Sequence, residues 1–193
     1  MKYLIYISFF ICLISCKKDP IQYKISGKVI NKHTNEPVAN TTIKFGQTEV
    51  NLNALNPNFI PIGETTTDAE GKYSFNFERT QILEVEFKIY NDQYYKTEKI
   101  INASELSTEN INVHDFKLEA KAWVKVRLLN GFAVNGEQLN FYKHNVKEEC
   151  TDCCTNGYTI VTHSTPDTTF ICPVVGDIEF RYSYGEVSEN TSF

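Results

Sequence analysis

The sequence predicts an all-β chain built as two small β-sandwich modules in tandem after a cleaved leader. Three observations predict it: short stretches in which apolar and polar residues alternate, the absence of any sustained 3.6-residue period, and Gly, Pro, Asn and Asp placed between the stretches. In ILEVEFKIY (82–90), Leu83, Val85, Phe87 and Ile89 fall on one face, opposite Ile82, Glu84, Glu86, Lys88 and Tyr90. That is a strand with one buried and one wet face. Tyr73, Phe75 and Phe77 repeat the pattern, as do Ile25 with Val29, and Ile178, Phe180, Tyr182 and Tyr184. Residues 103–106 are the best candidate for a helical turn.

The leader is the segment MKYLIYISFFICLISCKKDP. Lys2 precedes an uncharged run over 3–15, too short for the roughly 20 apolar residues that cross a bilayer. A basic start followed by a short apolar block describes a secretory signal. Leu13-Ile14-Ser15-Cys16 at its end resembles the lipobox of bacterial lipoproteins. The resemblance implies cleavage before Cys16 and acylation of that residue, with Cys12 lost alongside the leader. Two or more acyl chains hold a protein at a membrane durably, at about 0.8 kcal/mol per buried CH₂. Residues 16–22 then form a tether. Lys17-Lys18-Asp19 partly resembles tags that direct lipoproteins to the outer face of the outer membrane, and no Asp directly follows Cys16 to suggest inner-membrane retention.

Loss of residues 1–15 leaves 178, enough for one large or two small domains, and takes the formal charge from −5 to −6. An acidic body without a basic stripe argues against nucleic acid, whose phosphates demand Lys and Arg. The strand count divides the body into 23–119 and 120–193. The segment KAWVKVRLL, from Lys121, opens the second module.

Within the first module, ISGKVINKHTNEPVANTTIKF (25–45) and TTTDAEGKYSF (65–75) resemble the carboxypeptidase regulatory-like domain. The elements that match are Gly27, Val29, Pro37, Val38, Thr66, Thr67, Asp68, Gly71, Tyr73 and Phe75. The resemblance covers about half the chain and implies a transthyretin-like or immunoglobulin-like sandwich that folds, spaces or docks and carries no peptidase chemistry. The insert over 50–62 departs from the pattern and is expected to lengthen a loop. Asp68-Ala69-Glu70-Gly71 reads as a tight turn: the Asp carboxylate accepts from backbone N–H groups, and the Gly supplies positive φ. A Ca²⁺ loop would want a longer run of alternating oxygen donors.

The stretch CTDCC places Cys150, Cys153 and Cys154 within five residues, with Cys172 downstream. In an oxidising compartment four cysteines pair. Adjacent Cα atoms, about 3.8 Å apart, fall below the span a disulfide uses, so a Cys153–Cys154 bridge is disfavoured. Two pairings stay open: Cys150–Cys153 with Cys154–Cys172, or Cys150–Cys154 with Cys153–Cys172. Either staples a small module that has few strands. Zinc held by three of these thiolates with His144 or His163 lacks a second short hook, and a Cys-x-x-Cys redox centre lacks its βαβ setting.

No nucleophile elbow, phosphate loop or His-Glu-x-x-His pair occurs. The histidines His33, His114, His144 and His163 are scattered, and Glu148 and Glu149 read as solvated loop charges. Trp123 shares the outward face of its strand with Lys125 and Arg127, opposite Ala122, Val124, Val126 and Leu128, so it either covers the joint between modules or forms a ligand platform. Tyr94 and Tyr95, in an expected turn, are candidates of the same kind. The expectation is a non-catalytic, lipid-anchored lipoprotein of the outer membrane, on its periplasmic or cell-surface side, acting as a structural or binding module without a cofactor. A carbohydrate- or peptide-capturing surface lipoprotein is the next reading. A metal-binding or enzymatic protein centred on the late cysteines is the third.

Overall fold

A computed structural model describes residues 20–51, 54–129, 137–144, 147, 150, 153–154, 158–162 and 167–188. The expectations for the leader, for Cys16 and most of the tether, for Glu148, Glu149 and His163, and for residues 189–193 lie outside the described residues. The fold is all-β. Eight strands come first: β1 (Gln22–Asn31), β2 (Thr42–Asn51), β3 (Ala54–Thr66), β4 (Lys72–Glu78), β5 (Ile82–Tyr90), β6 (Thr97–Asn102), β7 (Ile111–Val113) and β8 (Phe116–Leu118). One sheet runs β4-β1-β7, with β8 also on β1, and the other runs β3-β2-β5-β6. The expected helical turn is a 3₁₀ turn at Ala103–Glu105, capped where the Asn102 side chain accepts from the Ser104 amide.

The alternation read from the sequence explains the packing. Val85, Phe87 and Ile89 are buried while Glu84, Glu86 and Lys88 stay half-exposed. They meet Ile43 and Phe45 of β2, and Tyr23, Ile25 and Val29 of β1, in one core. Phe45 is its hub, stacked on Phe75 at 4.2 Å and edge-on to Phe87 at 5.2 Å, geometries in which rings add stability beyond their buried area. Leu83, at the start of the strand, is the exception to its face and is exposed.

The turn at Asp68 behaves as expected. Its Oδ1 accepts from the Glu70 and Lys72 amides at 3.0 and 2.7 Å, and Gly71 has φ +72°. Thr67 is buried; its Oγ1 accepts from the Thr41 amide at 2.9 Å and donates to the Val38 carbonyl at 2.8 Å, joining the turn to the Pro37-Val38 segment. Gly27 is needed for a different reason. β7 and β8 lie along β1 in one parallel register, interrupted at His114-Asp115. There the His114 carbonyl presses against Gly27 and accepts from the Tyr73 hydroxyl at 2.6 Å, while the Asp115 carboxylate accepts from the Lys28 amide at 2.7 Å.

The insert is not a loop. β2 and β3 continue as a long hairpin through it, with register shifts at Phe45/Gly46 and Gln47/Glu49. β3 is an edge strand, which is where its Pro57 and Pro61 can sit without costing ladder hydrogen bonds.

The remaining strands are β9 (Lys121–Leu129), β10 (Glu137–Lys143), β11 (Tyr158–Thr162), β12 (Asp167–Val175) and β13 (Tyr182–Ser188). β12 and β9 make a two-stranded sheet, and β11-β10-β13 a three-stranded one. Leu128, Phe141 and Val161 form the core between them, with Val126, Leu139, Phe170 and Phe180 packed around it. The strand expected from Ile178 begins only at Tyr182, and Ile178, Tyr182 and Tyr184 are exposed. Ile178 precedes the strand, while Tyr182 and Tyr184 share one face of β13 that no described strand of the facing sheet covers.

Gly27→Ala tests the close approach at His114. A methyl group there would sit 1.8 Å from the His114 carbonyl oxygen, so either β1 or β7 must shift. Denaturant titration should show a loss of about 1–3 kcal/mol, and an unchanged midpoint would refute the geometry.

Candidate functional site

Among the described residues, a polar depression lies at the joint between the two strand groups. Asn91 organises the approach: its Oδ1 accepts from the Gln93 amide at 3.0 Å, and its Nδ2 donates to Ala39 O and Thr41 Oγ1 at 3.3 and 3.1 Å. This projects residues 93–95 alongside 119–121. The Tyr95 amide donates to Glu119 O at 2.9 Å, the Lys121 amide to Gln93 O at 2.7 Å and the Gly176 amide to Ala120 O at 2.8 Å. Tyr94 bridges Ala120. Asn31 completes the joint from β1, accepting from the His33 and Thr34 amides while its Nδ2 donates to Asp177 Oδ2 at 2.6 Å.

Trp123 stands at the rim of this joint, 68% exposed. With Asp92, Gln93, Tyr94, Lys121 and Asp177 it lines a cleft of about 530 Å³. It does not seal the joint, because the outward face of β9 has nothing over it among the described residues. Tyr95 does that work. Its ring is 8% exposed and packs on Cys153, Val175 and Cys150, so it offers no free face to a ligand. Its hydroxyl lies 3.3 Å from Cys153 Sγ; a bridged sulfur carries no proton, so the hydroxyl donates. Burial, then the nearby Glu119 charge, pushes the Tyr95 pKa up. Tyr94 is half-buried against the first core. Of the three aromatic candidates, Trp123 is the exposed one, lining the same cleft as Tyr94.

Of the two open pairings, the structure adopts Cys150–Cys153 and Cys154–Cys172, with Cα separations of 5.4 and 5.0 Å. Cys172 lies on β12 opposite Val124, and the Cys154 amide donates to Pro173 O at 3.1 Å. The closing segment is thereby pinned along the two-stranded sheet. By chain-entropy reasoning such a closure contributes on the order of 3 kcal/mol. Paired sulfurs are not thiolates, so in this state they offer zinc no ligand. Among the described residues no group of three His, Cys, Asp or Glu side chains is placed to hold a metal ion.

Among the described residues, His33, His114 and His144 stay apart. His33 Nε2 is 4.0 Å from Glu119 Oε1. His114 leans edge-on against Phe87, its Nε2 buried without a partner, and burial and then Lys99 lower its pKa. The His144 ring lies 3.2 Å from Ser183 Oγ. Sequence reasoning missed Glu119, whose carboxylate accepts from Lys32 Nζ at 2.7 Å and from Lys147 Nζ. It also missed the Asn31–Asp177 link; residues 146 apart leave no local pattern to read.

Burial works to raise the Glu119 pKa, but hydrogen bonds from Lys147 and Lys32, with their charges, outweigh it and hold the carboxyl below its ordinary value. A depressed carboxylate adds stability that is complete above the unfolded pKa, about 4.3, and is lost as pH falls through the folded one. The protection of the Tyr95 and Lys121 amides against hydrogen exchange, taken relative to the intrinsic rate at each pH, should therefore fall on acidification below about pH 4, and Glu119→Gln should remove that acid step. An acid step of equal size in Glu119→Gln would refute the assignment.

No family model matches the sequence, and no curated protein matches it. Solved structures match at low similarity. Hydroxyquinol 1,2-dioxygenase from Pseudomonas putida DLL-E4 is 12% identical with a TM-score of 0.39, over 54% of this chain and 58% of that one. The Bacillus anthracis TIE protein is 10% identical at 0.43, over 86% and 28%. Shaft pilin SpaA from Lactobacillus rhamnosus GG is 9% identical at 0.41, over 88% of each chain. The chain thus spans little more than half the length of the dioxygenase.

Proposed function

We propose that this chain is an exported lipoprotein, acylated at Cys16 and held at the outer membrane, acting without catalysis as a structural or binding module. The observation that carries the reading is the pairing of all four late cysteines into two bridges, one of which ties the segment at Cys154 to β12. Such cross-links persist outside the reducing cytosol. Disulfides and a leader of secretory form are independent signs of the same route, and the lipobox resemblance adds the anchor. The motif residues of the first strand group fit a carboxypeptidase regulatory-like spacer: Thr67, Asp68 and Gly71 close its turn, and Gly27 admits the neighbouring backbone.

Replacing Cys16 by Ser should move the protein from the membrane fraction to the soluble fraction. Retention on the membrane would sink the anchor. Peptide mass spectrometry without reduction should find Cys150 joined to Cys153 and Cys154 to Cys172, whereas four free thiols would sink the export reading.

A specific observation favours a second role, capture of a carbohydrate or peptide at the envelope. An indole in solvent beside two carboxylates, an amide and an ammonium is the combination that stacks on a sugar face while hydrogen-bonding its hydroxyls. Binding on a glycan array that Trp123→Ala weakens about tenfold or more would establish it. Binding that survives the substitution would discard it.

A further inference from the structure

We infer that the smaller module carries a vacant strand position, between the free edge of β9 and the inner face of β13, that receives an extended segment of another polypeptide with alternating apolar and acidic residues. The inference specifies the partner of the binding role proposed above. It rests on that reading only for the compartment in which the partner is met.

The two sheets of this module are unequal. β10 lies over the two-stranded sheet, its Phe141 ring 5.9 Å from Phe170 of β12. β13 pairs with β10 on one side and overhangs on the other. Residues directly opposite in a ladder share a face, and Phe141 pairs with Tyr184 and Leu139 with Glu186. Tyr184 therefore points to the core side of its sheet, and yet it is 72% exposed. The strand that would cover it is missing among the described residues.

The shape of the space says what would fill it. A groove of about 650 Å³ runs there. From β13 only alternate residues line it, Tyr182, Tyr184 and Glu186, as expected of a sheet face. From β9 every residue over 124–129 lines it, which is what a strand edge presents. Among the described residues β9 pairs only with β12, so half of its backbone amides and carbonyls face the groove without a strand partner. A ligand touching both walls can extend the β9 ladder while burying alternate side chains under the tyrosine rings, the geometry of β-strand addition. Six residues of edge accommodate a segment of about 20 Å.

Of the guards that exposed edges ordinarily carry, this edge has charge, in Lys125 and Arg127, and lacks proline and a bulge. β3, an edge of the first module, bears two prolines and register shifts. β9 has no proline, and its nine-residue pairing with β12 runs without a shift.

Charge selects the occupant. Val124, Val126 and Leu128 lie on the inner face of β9, and Lys125 and Arg127 on the outer. Arg127 is satisfied across the sheet by Asp167, at 2.9 and 2.5 Å. Lys125 has no ion partner among the described residues. A strand added beside β9 meets apolar neighbours on one face and Lys125 on the other, so apolar residues alternating with Glu or Asp fit. A second copy fits less well. Antiparallel pairing of two β9 edges that keeps both inner faces on one side over most of the strand sets two of the cations Lys121, Lys125 and Arg127 opposite each other, and like charges opposite one another destabilise a ladder.

The test uses the full-length protein in mild detergent, with a labelled peptide of about eight residues alternating valine and glutamate. The control peptide has the same composition in two blocks. Binding is read by anisotropy and site by residue-resolved hydrogen exchange. The alternating peptide should bind and slow exchange at alternate amides within 124–129; the block peptide should do neither. Tyr184→Ala and Lys125→Glu, both at exposed positions, should each weaken binding about tenfold. Equal binding of the block peptide, or protection elsewhere, overturns the proposal. So does slow exchange of those amides in the free protein, which assigns the position to this chain's own residues when independent of concentration and to a second copy when it rises with concentration. A failure here leaves the fractionation result for Cys16→Ser untouched, so the two readings fail separately.

Discussion

A two-stranded sheet buries too little to hold itself, and the Cys154–Cys172 bridge supplies what it lacks. Among the described residues, the core between its two sheets is built on three buried side chains, Leu128, Phe141 and Val161, far short of the core around Phe45. The bridge fixes the segment at Cys153-Cys154 against β12. Cys153 in turn sits under the Tyr95 ring. The covalent link that closes the module therefore also builds the apolar seat through which it docks on its neighbour. Tyr95 would have little to grip without it.

Much of the larger sandwich was legible before any coordinates. The period of two located β5 to the residue over 82–90 and placed Tyr73, Phe75 and Phe77 on one face of β4, because a buried face makes any slip costly. The turn at Asp68 was legible because its chemistry is local, carried by a carboxylate and a glycine within four residues. Where the same reasoning failed, the deciding contact was distant. Residues 50–62 looked like a loop because they are polar and hold prolines, yet an edge strand tolerates both. Ile178 and Tyr184 looked buried because alternation reports which face a residue takes and not whether anything covers that face.

The candidate site was legible only in part. Trp123 stood out because an apolar ring shared a face with two cations, and it does remain in solvent. Tyr95 could not be told from Tyr94 by pattern alone, since the distinction comes from Cys153 and Val175, far along the chain. Glu119 looked like any surface carboxylate. Its importance lies in meeting Lys32 from one side and Lys147 from the other, a convergence that exists only once both modules are folded.

The parallel alignment of β7 and β8 with β1 has a mechanical consequence. The chain enters the larger sandwich at the start of β1 and leaves it, toward the smaller one, at the end of β8. A pull between those points drives β1 and β8 in opposite senses along their common axis. Neighbouring strands loaded in that way are sheared, and the bonds between them must yield together instead of unzipping one after another. The larger sandwich is thus wired as a stiff link under tension.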